Sequence, residues 1–361
     1  METVIISFSL RNSSVSEFFI EIANQLSKTH LVIVLTDCIQ PHPFYISPIV
    51  KIIKAPPLGA HNLKLLWFLM GEIFKHKPST VIGNFSAVGP LIILSYLFGV
   101  KTRIAWCHSI SSQFLEKRPL IDRKRLVYSL TTKIFANSLS TKTDLVNSFN
   151  IKPSRIEVFY NALRQPKIKN ELCDPPQLTF AGRMDRSKGI YTLINAMPIV
   201  IKSHPNILLK LIGGYLHSDS LLQLKKIVKE LSLEKNIVFL GFQTRNTVLE
   251  EFSKSYVTIV PSVVEAFGYV VIESFAVKTP VIGSNTTGIS EIIRDNVDGF
   301  LFEAKNSKDL ACKIIKILDD KQLREKFSLN CFSRFENKFE LTKVTFDIVE
   351  RIKFISSGTG K

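Results

Sequence analysis

Two glutamates eight residues apart bracket the stretch Glu265-Ala266-Phe267-Gly268-Tyr269-Val270-Val271-Ile272-Glu273. Glu265 lies in the loop after an apolar run, Tyr256 to Val260, that reads as a strand, and Glu273 is expected two turns into the amphipathic segment that follows. At ~1.5 Å rise per helical residue the carboxylates would stand roughly 12 Å apart. That is about the span from a nucleotide's ribose to a sugar carried on its diphosphate. A helix start between them offers unpaired backbone N–H groups and a favourable dipole to an anion. The arrangement suits a nucleotide sugar.

Upstream, Gly182-Arg183-Met184-Asp185-Arg186-Ser187-Lys188-Gly189 places two cations five residues apart, just after a predicted strand from Leu178 to Ala181. A guanidinium grips phosphate oxygens as a fork and an ammonium acts as a compact point charge, so Arg183 and Lys188 together suit a diphosphate. Taken singly, each is also an ordinary surface cation, and Glu273 an ordinary solvated helix carboxylate. Gly213-Gly214 and Gly241-Phe242 end two further apolar runs, where simple turn chemistry is an equal explanation.

With both segments in view the chain resembles the retaining glycosyltransferases of family 4, which have the GT-B fold. The family's Arg-x4-Lys pair falls on Arg183 and Lys188, and its Glu-x7-Glu motif on Glu265 and Glu273. Leu211-Ile212-Gly213-Gly214, Phe239-Leu240-Gly241-Phe242, Pro280-Val281-Ile282-Gly283-Ser284 and Gly299-Phe300-Leu301-Phe302 match as well. The resemblance is dense from about Gln177 to Leu318 and thin before it. It implies an α/β fold of two doubly wound Rossmann-like domains facing a central cleft. It also implies that Glu273 accepts hydrogen bonds from ribose hydroxyls, and that Glu265, beside the backbone of Ala266, Phe267 and Gly268, positions the transferred sugar. The turns at Gly214 and Phe242 would frame the phosphates and base. His108, after the strand Arg103 to Cys107, falls where the family often carries a histidine beside the donor sugar; a lone histidine also satisfies structural hydrogen bonds. The catalytic set implied is Glu265, His108, Arg183 and Lys188. In the first strand-to-helix loop, Arg11 to Ser16, many members carry paired glycines and this chain has none, which leaves Asn12 and Ser13 as the polar contacts there.

The expected donor is a UDP-sugar and the expected acceptor a glycan or lipid-linked sugar in polysaccharide or glycoconjugate synthesis. No cofactor is expected. Nor is a metal: the sequence has no Asp-x-Asp motif and no His/Asp/Cys cluster at ligand spacing, so charge on the leaving diphosphate falls to Arg183, Lys188 and the helix end. Another GT-B reaction, epimerisation or phosphorolysis, is the nearest alternative. A non-catalytic nucleic-acid-binding protein is the alternative from another class, motivated by charge alone; no nucleic-acid module is present and no nucleic-acid partner is expected.

These motifs need two sheets to hold them, and 361 residues with 45% hydrophobic and 22% charged content suffice for two cored domains. Apolar strand-like and helical runs alternate throughout, the pattern of parallel sheets covered on both faces. The expected domains are residues 1–172, binding the acceptor, with a helix from about 342 to 356 packing back on them, and residues 173–341, binding the donor. Five scattered cysteines without a Cys-x2-Cys pair point to reduced thiols in a cytoplasmic protein. The longest apolar run, Val88 to Val100, is too short to span a bilayer and reads as a buried helix.

The net charge of +16 is uneven: residues 1–172 carry 21 Lys and Arg against 10 Asp and Glu, and residues 173–361 carry 26 against 21. Lys117, Arg118, Arg123, Lys124 and Arg125 concentrate the excess. Such a stretch suits peripheral contact with an anionic membrane, or is simply a solvated basic face.

Overall fold

The structure is a computed structural model and describes residues 1–57, 63–113, 118–215 and 218–357. Two compact units emerge, Met1–Arg164 with the segment from Glu340 onward, and Gln165–Phe339.

In the first unit β1 (Thr3–Ser7), α1 (Ser14–Leu26), β2 (Leu31–Thr36), β3 (Lys51–Lys54), α2 (Leu63–His76), β4 (Thr80–Asn84), α3 (Val88–Leu97), β5 (Thr102–Cys107), α4 (Arg118–Ser129), β6 (Lys133–Ala136), α5 (Leu139–Asn147) and β7 (Ile156–Val158) follow one another. The strands form a parallel sheet in the order β3-β2-β1-β4-β5-β6-β7. Alternation along β1 sends Val4 and Ile6 into one core with Phe18, Phe19 and Trp106, and Ile5 into another with Leu65, Val81 and Leu91. Buried on both faces, β1, β2 and β4 read as near-continuous apolar runs, while the edge strand β3 is largely exposed.

The second unit holds β8 (Gln177–Ala181), α6 (Ile190–Ser203), β9 (Leu208–Ile212), α7 (Ser218–Glu230), β10 (Ile237–Gly241), α8 (Arg245–Lys254), β11 (Val257–Val260), α9 (Tyr269–Ala276), β12 (Val281–Ser284), α10 (Thr287–Ile292), β13 (Gly299–Phe302), α11 (Ser307–Asp319) and α12 (Lys321–Lys338). Its parallel sheet runs β10-β9-β8-β11-β12-β13.

The chain then re-enters the first unit as α13 (Leu341–Ser356), which packs on α1. Gln25 Nε2 donates to Thr345 Oγ1 at 2.7 Å, and Arg351 grips Glu157 through two bonds of 2.6 and 2.7 Å. The unit boundary lies earlier than residue 172. Asn170 Nδ2 donates to the Val277 carbonyl at 2.9 Å, Cys173 N–H donates to the Lys254 carbonyl at 3.1 Å, and Ile168 packs against the Leu249–Phe252–Val277 cluster. These contacts hold the segment after Arg164 to the second unit. The helix from Val88 also departs from expectation, since Tyr96 and Leu97 are exposed.

Candidate active site

Strand order reverses between β8 and β11, so the loops at their carboxyl ends diverge and leave a crevice where doubly wound sheets take ligands. Arg183 and Lys188 follow β8, and Glu265 to Gly268 follow β11. The two loops interlock through the backbone: Val263 N–H donates to the Ser187 carbonyl at 2.8 Å. Gly189 has φ 69°, and a Cβ there would lie 1.8 Å from the Pro261 carbonyl oxygen. Only a residue without a side chain permits that approach.

Lys188 Nζ lies 2.5 Å from Glu265 Oε2, with the two side chains 25% and 19% exposed. Arg183 is 60% exposed and pairs loosely with Asp185, Nε to Oδ2, at 3.3 Å. Asp185, which the sequence reading did not single out, caps the turn carrying Lys188 by accepting from the N–H groups of Ser187 at 2.8 Å and Lys188 at 3.2 Å. An Asp opening a helical turn is the signal that marks it. Thr287 was missed too: its hydroxyl and the Gly288 N–H both donate to the Glu265 carbonyl, at 2.6 and 3.0 Å, bracing that loop from the next strand end.

The helix after Glu265 starts later than expected. Gly268, at φ 108°, is its N-cap and α9 opens at Tyr269, so Glu273 lies one turn in, half-buried, and the helical rise applies to only part of the Glu265–Glu273 spacing. Ala266 and Phe267 are buried, with the Phe267 ring edge-on to Tyr269 and Phe339. Their side chains serve the core.

The turns after β8, β9 and β10 lie side by side. Met184 N–H donates to the Gly214 carbonyl at 2.9 Å, and Gly213 N–H to the Gly241 carbonyl at 2.8 Å. Phe242 follows and is 85% exposed.

The remaining candidates belong to the first unit. Ser13 is the N-cap of α1, its hydroxyl accepting from Ser16 N–H at 3.2 Å, so the helix already uses that oxygen; Asn12 is exposed. His108, half-buried, stacks on Phe85 at 4.4 Å and lies 3.1 Å from Asn84 Oδ1 through Nε2. With that oxygen accepting, the neutral ring carries its proton on Nε2 and presents Nδ1 as an acceptor. Asn84 itself is buried and was missed; its N–H donates to Ser7 Oγ at 3.2 Å, tying β4 to β1.

Desolvation pushes the His108 pKa down to about 3. An unfolded chain protonates a histidine near ~6.5. Below that pH the unfolded state binds the extra proton, so the stability that neutral His108 contributes is complete above about 6.5 and is lost as the pH falls toward 3. Urea unfolding should therefore lose more stability between pH 7.5 and pH 5 in wild type than in His108→Gln. An equal loss in both would show that the ring is not shielded from water.

Lys117 lies outside the described residues, and α4 begins at Arg118. Arg123 and Arg125 are exposed, with Arg125 3.6 Å from Asp122. Lys124 departs from a solvated basic face. It is half-buried and desolvation lowers its pKa. Among the described residues no group of three or more His, Cys, Asp and Glu is placed to hold a metal ion, and no helix is long and apolar enough to cross a membrane.

Comparison with known proteins fits this geometry. The family model for glycosyl transferases group 1 matches residues 163–333, and that for Glycosyltransferase Family 4 matches residues 15–164. An uncharacterised glycosyltransferase of Methanocaldococcus jannaschii is 27% identical over 244 residues, 63% of this chain and 62% of that protein. A Campylobacter jejuni enzyme, N-acetylgalactosamine-N,N'-diacetylbacillosaminyl-diphospho-undecaprenol 4-alpha-N-acetylgalactosaminyltransferase, is 26% identical over 319 residues, 84% of this chain and 82% of the enzyme. The crystal structure of Anabaena HepE in complex with UDP and glucose superposes with a TM-score of 0.79 at 18% identity, covering 98% of this chain and all of that one. From the paired matches, which together run from residue 15 to 333, and the two parallel sheets, the chain belongs to glycosyltransferase family 4 and is a group-1 glycosyltransferase with the GT-B fold.

Proposed function

We propose that this chain transfers a sugar, with retention of configuration, from a UDP-sugar held by the second unit to a glycan or lipid-linked acceptor held by the first. The observation that carries this reading is the Lys188–Glu265 pair at the β8/β11 switch point, with Arg183 on the same loop. A diphosphate supplies the anion that Lys188 now finds in Glu265, and frees Glu265 to accept from the sugar's hydroxyls. Arg183 forks the outer phosphate oxygens, and the backbone N–H groups at the start of α9 add their dipoles where charge grows on the leaving group. Glu273 takes the ribose hydroxyls, and the turns at Gly214 and Phe242 border the base and phosphates. Glu265 positions the sugar and is not assigned as a nucleophile. On the first unit, His108 with its Nδ1 acceptor and the polar Asn12 and Ser13 are the proposed binding residues.

The UDP in the HepE structure and the lipid-linked acceptor in the Campylobacter enzyme's name support the choice of donor and acceptor class. We also propose that no resident metal is needed, and that the basic face of α4 brings the enzyme to the inner, anionic surface of the membrane. Calorimetric titration with UDP in EDTA tests the donor reading. Wild type should bind, and Glu273→Ala should bind about tenfold more weakly, the loss of a charge-assisted hydrogen bond of about 1.5 kcal/mol. Binding that appears only after manganese is added contradicts the metal-free part. Unchanged affinity in a folded Glu273→Ala removes that residue from the site.

A further inference from the structure

The step from β4 into α3 is made by an aromatic residue in a backbone conformation that side chains resist. Phe85 has φ 51°. Seven described residues other than glycine have positive φ, and the other six are Lys, Asn or Ser: Lys77, Asn150, Ser232, Lys278, Asn296 and Lys305. Of these, Lys77, Asn150, Ser232 and Lys278 come within three residues of a helix end, where chains commonly turn left-handed. Phe85 instead follows a strand directly. β4 ends at Asn84, and a single 3-10 turn, Phe85–Ala87, leads into α3. The reversal is tight, since a Cβ on Gly83 would lie 3.1 Å from Val88 Cα. A left-handed residue in such a turn is best made by glycine, because a Cβ there crowds the following carbonyl oxygen. Phe85 is also 50% exposed, so burial only partly offsets the strain.

The ring lies on His108. The two centroids are 4.4 Å apart and the planes are inclined by 14°. Phe19 meets the imidazole edge-on at 5.7 Å, and Trp106 lies nearly parallel to it at 6.3 Å. Nε2 stands 3.1 Å from Asn84 Oδ1, and Asn84 is 1% exposed with its N–H tied to Ser7 Oγ, so that oxygen is a fixed point. Consecutive residues therefore restrain the imidazole in two ways: Asn84 sets which nitrogen holds the proton, and Phe85 sets the tilt of the ring. Phe85, Trp106 and His108 all line a cavity of about 660 Å³ beside α3 and α4, so the stack borders open space and is not closed core.

We propose that Asn84 and Phe85 are positioning residues for sugar transfer, holding His108 in one orientation with its proton on Nε2 and Nδ1 fixed as an acceptor, and that the backbone strain at Phe85 serves this end. Strain that persists at an ordered position marks a site where the geometry is used. The inference rests on the transferase reading, in which His108 is a binding residue of the first unit. Burial that pushes the His108 pKa down to about 3 keeps the ring neutral near pH 7, as an acceptor requires. An acceptor already in place needs no ordering when substrate binds, so its loss is read in turnover.

Transfer is measured as UDP release, with water as acceptor, from whichever of UDP-glucose, UDP-galactose and their N-acetyl forms wild type turns over fastest. Phe85→Leu keeps an apolar side chain but removes the stack, and should lower kcat about tenfold or more with a smaller change in KM. Phe85→Tyr keeps the stack and should stay within about threefold of wild type. Phe85→Gly and Phe85→Ala both lack the ring and differ in backbone strain, so the glycine variant should unfold at the higher urea concentration. In nitrogen-15 spectra of histidine-labelled protein, His108 is assigned by its absence from His108→Gln. Wild type should show Nε2 protonated and Nδ1 bare near pH 7, and in Asn84→Ala the two shifts should move toward each other as the second tautomer appears. A proton on Nδ1 in wild type, wild-type turnover in Phe85→Leu, or equal stability of Phe85→Gly and Phe85→Ala overturns the proposal. UDP titration separates the two readings. Wild type that neither binds UDP nor releases it from any of these donors rejects the transferase reading, and the His108 shifts and the glycine–alanine comparison still decide whether Asn84 and Phe85 hold the ring.

Discussion

Lys188→Ala should lower sugar transfer by about 100-fold or more while the protein stays folded and UDP binding weakens far less. A fixed cation facing the oxygen on which charge develops is typically worth two to three orders of magnitude in turnover. The structure places Lys188 on a capped turn, three-quarters buried and 2.5 Å from Glu265, so the turn already holds the ammonium that exchanges this carboxylate for the diphosphate. Arg183→Ala should cost less, because its side chain is 60% exposed and only loosely held by Asp185. Lys188→Arg should restore activity only in part, since the longer planar guanidinium cannot place its charge where one compact ammonium stands. Steady-state kinetics decide the point. Equal losses in UDP affinity and in turnover would assign Lys188 to ground-state binding instead.

Gly189→Ala should damage fold and function together. Its φ of 69° costs an alanine about 1–2 kcal/mol by itself. The added Cβ would then stand 1.8 Å from the Pro261 carbonyl oxygen, so the β8 and β11 loops can accommodate it only by moving apart. That movement would break the Val263–Ser187 bond and separate Lys188 from Glu265. We expect a fall in urea midpoint and loss of measurable UDP binding. Gly71→Ala is the contrasting control: this position is exposed in α2 with no atom within 4 Å, so alanine should stabilise by about 0.5–1 kcal/mol. A Gly189→Ala protein with wild-type stability and UDP affinity would mean that the two loops do not form one structure.

The candidate site of the second unit was legible because its charged residues are local in sequence. Arg183 and Lys188 sit directly after one apolar strand, and Glu265 directly after another, and parallel βα units deliver such loops to the same edge. The braces were not legible. Val263 to Ser187 and Thr287 to Glu265 join residues far apart in the chain through backbone groups, which leave no mark in side-chain type. Strand β3, Lys-Ile-Ile-Lys, lies at a sheet edge where charged ends replace apolar alternation, and it passed unnoticed. The apolar pattern through Ala266 and Phe267 suggested a helix that the positive φ of Gly268 delays to Tyr269. Composition marked Val88 to Val100 as buried, while α2, α4 and the sheet leave Ile93, Tyr96 and Leu97 uncovered. The cavity between α3 and α4 is assembled from separated elements, so no single window of sequence displays it.

Amide hydrogen exchange of the wild-type chain with and without UDP tests the central assignment most directly. UDP should slow exchange in the loop from Gly182 to Gly189 and in the turn from Ala266 to Glu273, with little change in the sheets beneath them. Saturating UDP that leaves both segments unchanged, or protects only segments of the first unit, would contradict the placement of the donor at the β8/β11 switch point.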